Sequence, residues 1–166
     1  MRASDVVALS SIVIAVLALA VSVYQSMLTR QHNRRSVRPA LQLRMRFRAG
    51  ETAGLLLINA GIGPAVITGS TVSFGKQVLG PWDEPTSNVL RGDAKPRPSA
   101  TTFTPGTILA TDYAEFLLSV DEYDPNIDWH AALVDLLRNQ VTFEITYESL
   151  YGGKDTWTVT WPTSRS

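Results

Sequence analysis

The sequence predicts a mainly β protein: an N-terminal transmembrane α-helix followed by an antiparallel immunoglobulin-like β-sandwich with one inserted helix. Three observations predict it. Residues 6–28, VVALSSIVIAVLALAVSVYQSML, carry no charge. From residue 41 onward, apolar and polar positions alternate with a period of two in several short runs. One stretch, 121–140, returns to helical spacing. The chain of 166 residues then divides into a tail at 1–5, the span at 6–28, a basic stem at 29–38, the sandwich at 39–162 and a tail at 163–166.

Taken in order, the charge-free stretch comes first. At about 1.5 Å per helical residue it reaches roughly 34 Å, against a hydrocarbon core of about 30 Å. Ala18-Leu19-Ala20 offers a competing reading as a cleaved signal peptide. Apolar character continues through Val21, Val23, Tyr24, Met27 and Leu28 into a basic run, which favours a retained anchor. Ser4, Ala8, Ser11, Ala15, Ala18 and Ser22 form a heptad stripe of small residues, continued by Gln25 and Thr29. Small residues let membrane helices approach closely, so the stripe predicts self-association (a homo-oligomer) or pairing with a partner helix.

The formal net charge is zero, but it is unevenly spread. Residues 29–48 hold seven arginines and no acid, whereas residues 49–166 hold seven Lys/Arg and fourteen Asp/Glu. By the positive-inside rule, Arg30, Arg34, Arg35 and Arg38 keep their side of the span in the cytoplasm. They are also expected to contact lipid headgroups. A stem tethered at a bilayer meets lipid phosphate first, so no nucleic-acid partner is expected. The chain has no cysteine and two histidines, His32 and His130, which excludes disulfides, thiolate chemistry and most histidine-based metal sites.

In the domain, Leu41, Leu43, Met45 and Phe47 alternate with Gln42, Arg44, Arg46 and Arg48, a half-buried strand. Gly50 and Glu51 turn the chain into a second strand at 53–58, and a third is predicted at 65–74. Residues 75–100, rich in Pro and Gly, read as a long irregular connection with one helical turn at 86–90. Strands are predicted again at 101–109 and 113–120. Asp124-Pro125 suits an N-cap followed by proline in the first turn of the inserted helix. That helix would bury Ile127, Ala131, Val134 and Leu137, or Leu133 and Leu136. VTFEITY and WTVTW close the chain as a hairpin, with Val141, Phe143, Ile145 and Tyr147 on one face and Trp157, Val159 and Trp161 on one face.

The charge-free span, the stem ending SVRPALQLR, the turn NAGIGPA after LLLI and the hairpin ITYESLYGGKDTWTVTW together carry a resemblance. The chain resembles a group of uncharacterised bacterial single-pass membrane proteins with a small immunoglobulin-like β-sandwich. The resemblance covers nearly the whole chain and rests on turn motifs. It implies architecture and attachment to the bacterial inner membrane, and it implies no activity.

NAGIGPA is not a phosphate loop. β-branched strand residues follow it rather than a helix, and no lysine or arginine lies within ten residues of Gly63. Its glycines are expected at φ > 0, with Asn59 bonding nearby backbone. Asp124, Asn126 and Asp128 imitate the start of an EF-hand loop, but Trp129 stands where glycine is required and Asp135 where glutamate is. No metal and no cofactor is therefore expected. Ser149 lies in YESLYGG rather than a nucleophile elbow, and His130 has no assignable nucleophile. Glu144 and Glu148 share an outward strand face, either as ordinary solvated acids or set across from Arg44 and Arg46. No catalytic set emerges, so a non-enzymatic interaction or assembly module is expected. Trp82 in the Pro/Gly-rich connection and Trp129 at the helix start are its candidate protein-binding aromatics, unless they staple loops to the core. The alternative is an exported periplasmic β-sandwich binding protein, tethered or released by signal cleavage.

Overall fold

The structure is a computed structural model describing residues 12–27, 37–93, 97–151 and 155–162. The chain forms two compact units, Met1–Ser36 and Val37–Ser166. In the first unit, helix α1 covers residues 12–27. No helix among the described residues is long and apolar enough to cross a membrane. The two ends of the charge-free stretch, with Ser4, Ala8, Ser11, Arg30, Arg34 and Arg35, lie outside the described residues. Ala15, Ala18 and Ser22 lie on α1.

The second unit is mainly β. Its elements are β1 (Leu41–Arg46), β2 (Ala53–Asn59), β3 (Ala65–Phe74), β4 (Gln77–Gly80), α2 (Glu84–Arg91), β5 (Ser99–Ala100), β6 (Ile108–Leu109), β7 (Ala114–Val120), α3 (Asp128–Asp135), a π-helical turn (Leu136–Gln140), β8 (Val141–Ser149) and β9 (Thr156–Trp161). They build two antiparallel sheets, ordered β1-β2-β7-β5 and β4-β3-β8-β9, with β6 pairing β3. The core lies between them. Leu41, Leu43, Leu55, Leu57 and Leu118 come from one sheet, and Ile67, Val72, Phe143 and Ile145 from the other. The period-two pattern places them there, because alternate side chains of a strand point to one face. A hydrogen bond also ties the sheets together: the Leu41 amide donates to the Tyr147 hydroxyl at 3.2 Å.

Several expected boundaries move, each for a local reason. Residues 75–100 are not mainly irregular. Gly75 at φ 57° and Lys76 make a two-residue turn that folds β4 back onto β3, pairing Phe74 with Gln77. The helix that follows is longer than one turn, since the Asp83 carboxylate accepts from the Thr86 amide at 2.9 Å and Pro85 sits in the first turn. Residues 101–109 do not form one strand. The Pro105-Gly106 turn carries the chain from the β5–β7 sheet to the β3 edge, where Gly106 donates to Ile67 O and only Ile108–Leu109 pair. The reading that sets Glu144 and Glu148 across from Arg44 and Arg46 is also corrected: they face Thr71 with Thr160, and Val66 with Thr156, because β1 and β8 belong to different sheets.

Arg46 instead bonds Glu51 at 2.6 Å across the first turn, with Arg48 at 3.7 Å. The Arg46 hydrogen bond, with the charges of both arginines, holds the Glu51 carboxyl below its ordinary value of 4.5. A carboxyl lowered in the folded state contributes stability above its unfolded pKa and loses it as the pH falls through the folded one. The Glu51→Gln variant is expected to lose less melting temperature than the parent on acidification below 4.5, as followed by circular dichroism.

Candidate functional site

Three places in the second unit carry polar groups or open surface worth weighing as sites. The first is the NAGIGPA turn. Asn59 ends β2 fully buried, and its side chain is saturated. Oδ1 accepts from the amides of Ala40 (3.2 Å) and Gly61 (3.1 Å). Nδ2 donates to the carbonyls of Gly63 (2.9 Å), Ala110 (3.0 Å) and Leu109 (3.3 Å). Two N–H groups on one side and three carbonyls on the other fix the amide orientation. Gly61 and Gly63 are not among the positive-φ glycines, which corrects the expected reason for them. They are glycine because the incoming segment runs against them: a Cβ on Gly61 would strike Arg38 O and Ala40 N, and one on Gly63 would strike Val37 O. Alanine at either position is expected to lower stability by about 1–3 kcal/mol, measured by denaturant titration. This loop is a joint.

The second is the acidic start of α3. The Asp124 carboxylate accepts from the Asn126 amide and from Asn126 Nδ2, both at 2.9 Å, forming a local turn rather than a helix cap. The helix begins four residues later at Asp128, with Ile127 as an N-cap that lends no side-chain bond. This corrects the Asp124 cap. Among the described residues no group of three or more His, Asp or Glu could hold a metal ion. His130 is 3 % exposed, and its Nδ1 accepts from the Asp124 amide at 2.9 Å. The ring stacks on Tyr123 (5.6 Å, 23°) and meets Trp129 edge-on (4.0 Å, 71°). Ser149 Oγ accepts instead from the Tyr151 amide at 3.3 Å, at the far end of β8, so the structure does not bring these two residues together. The buried face of α3 and the π-helical turn is His130, Leu133 and Leu137; of the predicted apolar positions Leu133 and Leu137 are buried, Val134 and Leu136 half-buried, and Ile127 and Ala131 exposed.

The third is a groove of about 570 Å³ at the β4 edge. Helix α2 forms one wall through Val89, Leu90 and Arg91. Helix α3 and the π-helical turn form another through Trp129, Leu133 and Leu136. Phe74 and Leu79 close it from the sheet. The π-helical turn sets the adjacent pair Leu136 and Leu137 to different tasks. Leu136 lines the groove and Leu137 is fully buried, its carbonyl accepting from Trp161 Nε1 at 2.7 Å. Asp135 accepts from Asn139 and Gln140 at 2.6 Å each across that turn, and these bonds hold its carboxyl below its ordinary value.

Of the sequence-predicted residues, Trp129 is on the groove wall and Trp82 is not at any surface. Trp82 is 0 % exposed, its Nε1 donates to Thr101 O at 2.7 Å, and its ring meets Phe143 edge-on at 5.0 Å. It is a core residue, and the expectation that it anchors a partner is corrected. Arg38 remains exposed, with its guanidinium 4.6 Å from the centre of the Trp157 ring, a cation–π contact at the start of the unit. Val89 and Arg91 were not singled out from the sequence. The signal was the pair Val89-Leu90 closing an otherwise polar helix, EPTSNVLR. No protein-family model, curated relative or solved structure matches the chain.

Proposed function

We propose that the chain is a membrane-anchored, non-enzymatic binding module of the bacterial inner membrane, with its β domain in the cytoplasm. One observation carries the anchor. On α1 all ten large apolar residues, from Ile12 to Met27, are between 48 and 65 % exposed. A helix that is apolar on every face is covered by lipid or by other helices. Residues 6–28 extend the same charge-free stretch to bilayer length. The four arginines that follow favour the cytoplasmic side for the β domain.

The sheet orders support an immunoglobulin-like reading of the domain: a four-stranded antiparallel sheet against a five-stranded one. The role as a binding module rests on the groove beside β4, which is lined mostly by apolar side chains and has Phe74 and Val89 exposed at its rim. Self-association through the small-residue face of α1 completes the reading. Exchanging Ala15 and Ala18 for isoleucine is expected to abolish oligomers in crosslinking of whole membranes. Unchanged crosslinking would remove that part of the reading.

Sidedness is tested by C-terminal fusions to alkaline phosphatase and to a fluorescent protein in one host. Fluorescence without phosphatase activity is expected. Phosphatase activity would place the domain in the periplasm and make an exported binding protein the better reading.

A further inference from the structure

We propose that the groove beside β4 binds an amphiphilic carboxylate, with its apolar body against Leu79, Val89, Trp129 and Leu136 and its carboxylate on Arg91. The inference rests on the β domain being a binding module and does not depend on the membrane anchor.

Three observations lead to it. Nine of the twelve groove-lining residues are apolar, and Arg91 is the one charged residue among them. Val89, 65 % exposed, and Phe74, 42 % exposed, present apolar surface at its rim. The volume, about 570 Å³, suits a small organic molecule.

The second observation is a donor with nothing to donate to. Arg91 Nη2 bonds Ser87 Oγ at 3.3 Å and Asn88 Oδ1 at 2.5 Å, whereas Arg91 Nε is buried and has no acceptor. A buried unpaired donor is unfavourable, and more so on a cation. The third observation is a convergence of like charge. Arg97 Nη2 donates to the same Asn88 Oδ1 at 2.8 Å, so two guanidinium groups share one neutral oxygen. Among the described residues the ion pairs are Arg46–Glu51 and Arg48–Glu51, so neither Arg91 nor Arg97 has an acid. Arg97 is not among the groove-lining residues, so Arg91 is the cation that the groove presents.

A carboxylate in the groove supplies the acid that Arg91 lacks. Its two oxygens match a guanidinium fork, and its charge replaces the missing acid. Its apolar chain covers surface that polar anions such as free phosphate would leave wet.

The test uses the full ¹⁵N-labelled chain in neutral phosphatidylcholine nanodiscs, titrated with hexanoate, hexan-1-ol or hexylamine. The readout is the indole N–H signals of the four tryptophans, with Trp129 assigned by Trp129→Phe. Hexanoate is expected to shift the Trp129 signal saturably, and hexanol and hexylamine to bind about tenfold more weakly or not at all. Arg91→Gln is expected to lower hexanoate affinity about tenfold. The Trp82 and Trp161 indole signals report the fold, because both donate to core carbonyls. If they move in Arg91→Gln, Val89→Asp, at an exposed groove-lining position, takes its place, with a several-fold loss of hexanoate affinity expected and full affinity overturning the proposal. Equal affinity for hexanol and hexanoate, full affinity in a folded Arg91→Gln, or no Trp129 shift with any probe would each overturn the proposal.

Discussion

Replacing Asn59 by alanine is expected to cost about 3–5 kcal/mol, at the upper end for a single substitution. The side chain is fully buried and ties three backbone segments: the entry to β1, the loop after β2 and the end of β6. Its removal takes a partner from two amides and three carbonyls, of which Ala110 O keeps the Tyr113 amide. Asn59→Asp separates hydrogen bonding from volume. The aspartate keeps the two acceptor bonds but turns an oxygen toward three carbonyls, so it is expected to be no more stable than the alanine variant. Urea unfolding of both variants decides it. An aspartate variant of parental stability would mean that Asn59 Nδ2 contributes little.

The second large effect is at Trp82. Trp82→Ala opens a cavity in the centre of the core and is expected to cost about 3–5 kcal/mol. Trp82→Phe keeps part of the ring contact with Phe143 but leaves Thr101 O without its donor, for an expected loss of about 1–3 kcal/mol. The residue joins the chain after β4 to the chain after β5, so both variants are expected to loosen the groove walls as well. Hydrogen exchange at α2 amides is the check: faster exchange is expected, and unchanged exchange would confine Trp82 to the core.

The strands that pack the core were legible because burial on one face imposes period two. Leu41 and Leu43, and Val141 through Tyr147, occupy the face that alternation assigns. The third strand was read at its observed limits, Ala65–Phe74, because β-branched residues fill it and Pro64 and Gly75 bound it. The short elements β4, β5 and β6 were not legible. Each is two to four residues long and is held by its neighbour strand rather than by its own pattern. The Pro/Gly-rich connection makes Trp82 a candidate for either a binding anchor or a staple to the core, because loop composition says nothing about where one long side chain turns; burial makes it the staple. The groove was invisible for the same reason. Arg91 and Trp129 are brought to one groove by the packing of α2, α3 and the sheet edge, and no local spacing relates them.

The central claim is that residues 6–28 hold the chain in a membrane. Alkaline carbonate extraction of cells expressing the full chain with a C-terminal tag, followed by intact mass of the tagged species, tests it most directly. The account predicts a chain of full mass in the carbonate-resistant pellet. A tagged species released into the supernatant, or one shortened near Ala20, would contradict it.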